Sequence, residues 1–144
     1  MESEQMYPYT AKEARERGEL ELWRANYRAN RACAGAIEIA IRENFDGMHL
    51  NRDCVRDIID RYGYERTAFV LANTLQIQSY DERYHPSNRR WSQSVHIRED
   101  IGHRESFVIN GHSAIIDGFV RLFRQEMEQA AKQEQGPSMN EMTM

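Results

Sequence analysis

LELWRANYRANRACAGAIEIAIRENF, running from Leu20 to Phe45, is the stretch that decides the fold. Placed on a helical wheel at about 100° per residue, its apolar and small side chains fill an arc of roughly 240°. Arg24, Arg28, Arg31, Glu38 and Arg42 share one narrow charged stripe. Leu22, Trp23, Tyr27, Cys33, Ile37, Ile39, Ile41, Phe45 and a run of alanines cover the remainder. A helix apolar over so much of its circumference is expected to be surrounded by other elements. The reading is a mainly α, compact single domain, a bundle of about five to six helices around this long central one.

Before this stretch, Met1 to Tyr9 reads as an extended arm, because Pro8 biases Tyr7 away from helix and the two tyrosines offer anchors. Thr10 and Glu13 then form a capping box for a short helix that Gly18 ends. After the long helix, Asp46-Gly47 marks a turn. Asn51 or Asp53 caps the next helix, in which Cys54, Val55, Ile58, Ile59 and Tyr62 recur at helical spacing up to a break at Gly63. TAFVLANTLQIQ is apolar on nearly every side from Ala68 to Ile77 and reads as a second buried helix.

From Ser79 to His96 the chain turns polar, aromatic and turn-rich, with Ser87 or Asn88 expected to cap a short helix containing Trp91. Val95 to Ile97 and Ser106 to Asn110 have enough β character for a short two-stranded ribbon across the loop from Arg98 to Arg104. A last helix starts near His112 or Ser113 and presents Ile116, Phe119, Val120, Phe123, Met127 and Ala130 on one side. The helical domain is thus expected over 1–133. The remainder, EQGPSMNEMTM, reads as a mobile tail over 134–144.

A chain of 144 residues with 40% hydrophobic and 29% charged residues can bury one core without staples. Its N-terminus lacks a secretion-signal layout, and no window reaches the length of a membrane span, so a cytoplasmic location is expected. Cys33 and Cys54 stand in apolar helical contexts that suit buried free thiols. The formal charge of -4 argues against general capture of nucleic acid by a basic surface. Of the nineteen basic residues, however, only Lys12 and Lys132 are lysine. Arginine's planar fork suits carboxylates, phosphates and aromatic faces.

Motif chemistry is sparse. The five histidines are scattered without zinc-ligand spacing, and no Walker loop, dinucleotide fingerprint or nucleophile elbow occurs, so neither metal nor cofactor is expected. Asn26, Asn30 and Asn44 fall inside the apolar arc of the long helix, and Asn73 within VLANTL. Such amides need partners, which predicts a buried polar network of Asn26, Asn30 and Asn73 that His112 and Asp117 can join. The functional version of that network is a polar pocket, and it would make the protein an enzyme. For recognition, DERYHPSNRRW supplies Arg83, Tyr84, Asn88, Arg89, Arg90 and Trp91, a mixture suited to interfaces and nucleic-acid backbones. The stripe of Arg24, Arg28 and Arg31 is a second candidate surface.

YPYTAKEARERGELELWRANYRAN, AIEIAIRENFDGMHL, VLANTLQ and NGHSAIIDGF together resemble a bacterial domain of unknown function carried by conjugative elements and phages of gut anaerobes. The resemblance extends to about Phe123, and in that family a proline often stands where this chain has Ser113. It implies a small accessory protein of a mobile genetic element. Such proteins often bind and neutralise a host defence component, including CRISPR nucleases. The expectation is therefore a non-enzymatic protein-binding domain, an anti-CRISPR-type inhibitor that occludes a host nuclease, acting as monomer or homodimer. The alternative is a nucleic-acid-binding accessory protein that uses the arginine-rich surfaces.

Overall fold

The computed structural model describes residues 6–96 and 107–143, with side chains described through Gln133. Five helices follow in order: α1 (Ala11–Arg17), α2 (Leu20–Asn44), α3 (Arg52–Ile77), α4 (Pro86–Ser94) and α5 (Ser113–Thr143). The described residues contain no strand, only an isolated antiparallel bridge between Phe45 and Leu50 that closes the turn at Gly47. Val95 and Phe107 to Asn110 carry no strand. The rest of the expected ribbon falls on 97–106, outside the described residues.

The boundaries follow local chemistry. Thr10 accepts from the Glu13 backbone N–H while the Glu13 carboxylate accepts from the Thr10 N–H at 3.0 Å, a complete capping box. Gly18 closes α1 at φ 71°. Asn51 caps α3 by accepting from the Asp53 N–H. Inside α3, Gly63 takes φ 84° and ψ 161°, so two helical segments meet at a kink that only glycine adopts without strain.

The centre of the bundle differs from the expectation. α2 is not the axle: it buries Asn30, Cys33, Ala34, Ile37 and Ile41 along one stripe, while Ile39 is 48% exposed on the other side. Much of its apolar arc is alanine, which favours helix strongly yet carries little area to remove from water. α3 takes the central place, packing against α2, α4 and α5. Past Gly63 it buries Arg66, Thr67 and every residue from Val70 to Leu75, so it is enclosed all round. Tyr84, Ile109, Phe119, Val120 and Phe123 complete the core around it.

α5 continues in helical backbone beyond Gln133, through the stretch expected to be a tail. Its core contacts reach Met127. No described helix is long and apolar enough to cross a membrane.

Candidate functional site

The segment from Asp81 to Trp91 is largely taken up by the fold itself. Tyr84 is 1% exposed in the core and its hydroxyl bonds Gln78 Oε1 at 2.6 Å, so it is no surface aromatic. Asn88 is buried as well, and it does not cap α4. That role falls to His85, whose Nδ1 accepts from the Ser87 N–H at 3.0 Å with Pro86 at the first helical position. Asn88 instead donates to the Asp117 carboxylate at 2.8 Å and accepts from Arg124 at 2.7 Å, bonds that tie α4 to α5. Trp91 packs edge-on against Phe123.

Asp81 organises the turn before α4. Its carboxylate accepts from Arg83 Nη2 at 2.8 Å and from the Ser113 hydroxyl at 2.5 Å, and its carbonyl accepts from Arg89 Nη2 at 2.8 Å. The Arg83 guanidinium, then the Ser113 hydroxyl, hold this carboxyl well below the usual carboxylate range. Of the four arginines and aromatics proposed for recognition here that reach solvent, only Arg90 is exposed without a bond to a neighbour among the described residues.

The asparagines separate into different places. Arg66, 3% exposed on α3, donates from Nη1 to Asn30 Oδ1 at 2.6 Å and to Asn26 Oδ1 at 2.9 Å. Asn26 Oδ1 also accepts from the Tyr7 N–H at 3.2 Å, so arm, α2 and α3 meet on one buried guanidinium. Asn73 is fully buried further along α3. Asp117 belongs to the α4 contact, accepting from the His85 N–H at 2.8 Å, and His112 is exposed. Asn30, with Arg66 between α2 and α3, and Asp117, at the α4 contact, therefore belong to different places, and His112 joins neither. Arg66 was not singled out in the sequence. Its signal is a charged residue on the apolar side of the helix after Gly63.

The α2 stripe stays open. Arg24, Arg28, Arg31 and Arg42 are all exposed, opposite the face that packs on α3, with Ile39 among them. Arg24 pairs with Glu21 at 2.6 Å, while Arg28, Arg31 and Arg42 form no ion pair among the described residues. At about 1.5 Å rise per residue the stripe runs roughly 27 Å. Cys33 and Cys54 are both buried and free, and burial pushes their thiols up to about 12 and about 11. Among the described residues no group of three or more His, Cys, Asp or Glu is placed to hold a metal ion.

Comparison with curated proteins and with solved structures finds no match to this chain. A family model does match, over residues 6–128, from the N-terminal arm to the part of α5 that packs on the core. The chain belongs to the family described as "Protein of unknown function (DUF3849)".

Proposed function

We propose that this protein acts by binding another protein through the solvent face of α2, without catalysing a reaction. The observation that carries this reading is the exposed stripe of Arg24, Arg28, Arg31 and Arg42 around Ile39, in which three of the four guanidinium groups have no carboxylate partner among the described residues. Planar forks beside an apolar side chain suit an acidic protein surface with a small apolar centre. The helix is braced from behind by α3, so the face is presented without reordering. The more specific form of the proposal is a cytoplasmic accessory protein of a mobile element, an anti-CRISPR-type inhibitor that occludes a host nuclease. That setting is what the resemblance stated from the sequence implies. On the α2 face such an inhibitor engages an acidic patch of the nuclease rather than its basic nucleic-acid channel.

The same stripe supports a second reading, contact with nucleic-acid phosphates. The two separate in one experiment with wild type and R24E/R28E/R31E. A purified CRISPR-type nuclease and a DNA duplex are each titrated at rising salt. Protein recognition predicts a nuclease complex that inhibits cleavage and is lost in the triple variant, with no duplex binding by the wild type even at low salt. Phosphate recognition predicts duplex binding that collapses steeply as salt rises. Equal behaviour of wild type and variant toward both removes the α2 face from the proposal.

A further inference from the structure

We infer that the recess between the end of α3 and α4 is a carboxylate-binding site anchored by Arg89. It goes beyond the α2 surface and uses none of its residues. The cavity measures about 380 Å³ and is lined by Leu75, Gln76, Ser79, Arg89, Ser92 and Gln93. Arg89 is the one charged group in that lining. Its Nη2 donates to a neutral acceptor, the Asp81 carbonyl, at 2.8 Å. The Asp81 carboxylate is already occupied by Arg83 and Ser113. The Nε–H of Arg89 is buried with no hydrogen-bond partner among the described residues.

With its Nε–H shielded from solvent and no ion pair to a carboxylate among the described residues, the guanidinium charge of Arg89 is left unneutralised beside the recess. A cation half-buried in a recess with no acidic lining attracts an anion, and its planar fork matches a carboxylate. The surrounding groups fit that choice. Gln76 Nε2 donates to the Ser92 carbonyl at 2.8 Å and the Val95 carbonyl at 3.2 Å, which fixes the wall between the helices. Ser79 and Gln93 stand exposed at the rim, with a hydroxyl and an amide able to bond a carboxylate's remaining lone pairs. Leu75 supplies an apolar surface for a short carbon chain. The volume lies at the small end of ligand sites, enough for an acid of a few carbons or one acidic side chain of a bound protein.

The test titrates the full chain with glutarate, with its uncharged diamide, and with a blocked tripeptide carrying one glutamate, at constant ionic strength. Binding is read by calorimetry and by thermal unfolding. The expected result is that both carboxylates bind and raise Tm while the diamide does neither. R89Q is expected to weaken binding by about tenfold or more, the loss of one charge-assisted contact. Because R89Q also breaks the Asp81 contact, Q93E at the exposed rim provides the second arm. It leaves the unliganded Tm close to wild type and repels the carboxylate. Tighter binding of the tripeptide assigns the site to a partner's acidic side chain, and tighter binding of glutarate assigns it to a free small acid. Equal responses to acid and diamide, no response to any probe, or wild-type affinity in both variants overturns the inference.

Discussion

Asp117 on α5 holds Asn88 on α4 through a 2.8 Å bond from the buried amide to its carboxylate Oδ1, and the same oxygen accepts from the His85 N–H at 2.8 Å. One side chain therefore docks α4 and satisfies a backbone donor at its start. Asn88 returns the connection to α5 by accepting from Arg124 at 2.7 Å. Neither residue is free to contact a partner without loosening the helix that carries Arg89 and Arg90.

Asp117→Ala is accordingly expected to lower stability by about 1–3 kcal/mol, because the buried Asn88 amide loses its carboxylate acceptor and keeps only the Asp117 carbonyl at 3.2 Å. Asn88→Ala should do likewise, and the double variant should cost less than the sum, with a coupling of roughly 0.5–3 kcal/mol. Denaturant unfolding followed by circular dichroism measures all three. Strict additivity would show that the bond contributes nothing of its own.

Gly63 gives a second expectation. Its φ of 84° and ψ of 161° place it in a region essentially reserved for glycine, in the middle of α3. Gly63→Ala should destabilise by about 1–3 kcal/mol, despite alanine's higher helix propensity. If alanine instead stabilised the protein, α3 would be straight in solution and the kink discarded.

Legibility in the sequence followed the physics of each feature. The capping box at Thr10 and Glu13, the stop at Gly18 and the break at Gly63 rest on local backbone chemistry, and all were readable. The buried run from Val70 to Leu75 was readable because apolar residues between Ala68 and Ile77, among them Phe69, Val70, Leu71 and Leu75, fall on nearly every side of the helix. The central role assigned to α2 was not, since a wheel counts alanine and isoleucine alike although their buried areas differ severalfold. The cap of α4 was misplaced from His85 to Ser87 or Asn88 because a tertiary bond to Asp117, invisible to local pattern, takes the Asn88 amide. Tyr84 looked like an interface aromatic for the same reason. Composition cannot distinguish a tyrosine facing solvent from one whose hydroxyl finds Gln78 in the core.

Asp81 sets a pH dependence with a definite sign. Arg83, then Ser113, depress its folded value, whereas the unfolded chain titrates near the ordinary value of about 3.9. Between those values the unfolded state binds more protons, so this contribution is fully present above about pH 4 and is lost as pH falls further. Urea midpoints of wild type should drop as pH is lowered through that window, and Asp81→Asn should flatten part of the drop. Parallel curves for the two proteins would remove Asp81 as a contributor.

The two cysteines lead to the opposite sign at high pH. Cys33 is 0% exposed and Cys54 4%, and desolvation raises both thiols, Cys33 from 9.0 to about 12. For Cys33 this lowers the thiolate fraction at neutral pH by about a thousandfold, and the thiolate is the reacting species. An aromatic disulfide reagent should therefore label the native chain slowly and the urea-unfolded chain rapidly at both positions. A group neutral in the fold and ionisable in the unfolded chain adds stability that is complete below about pH 8.5 and lost as pH rises toward the folded value. Cys33→Ala should pay a cavity cost at neutral pH yet lose less stability than wild type between neutral and strongly alkaline solution. Rapid native labelling of Cys33 would mean that α2 and α3 part readily, and the braced face offered to a partner would lack its support.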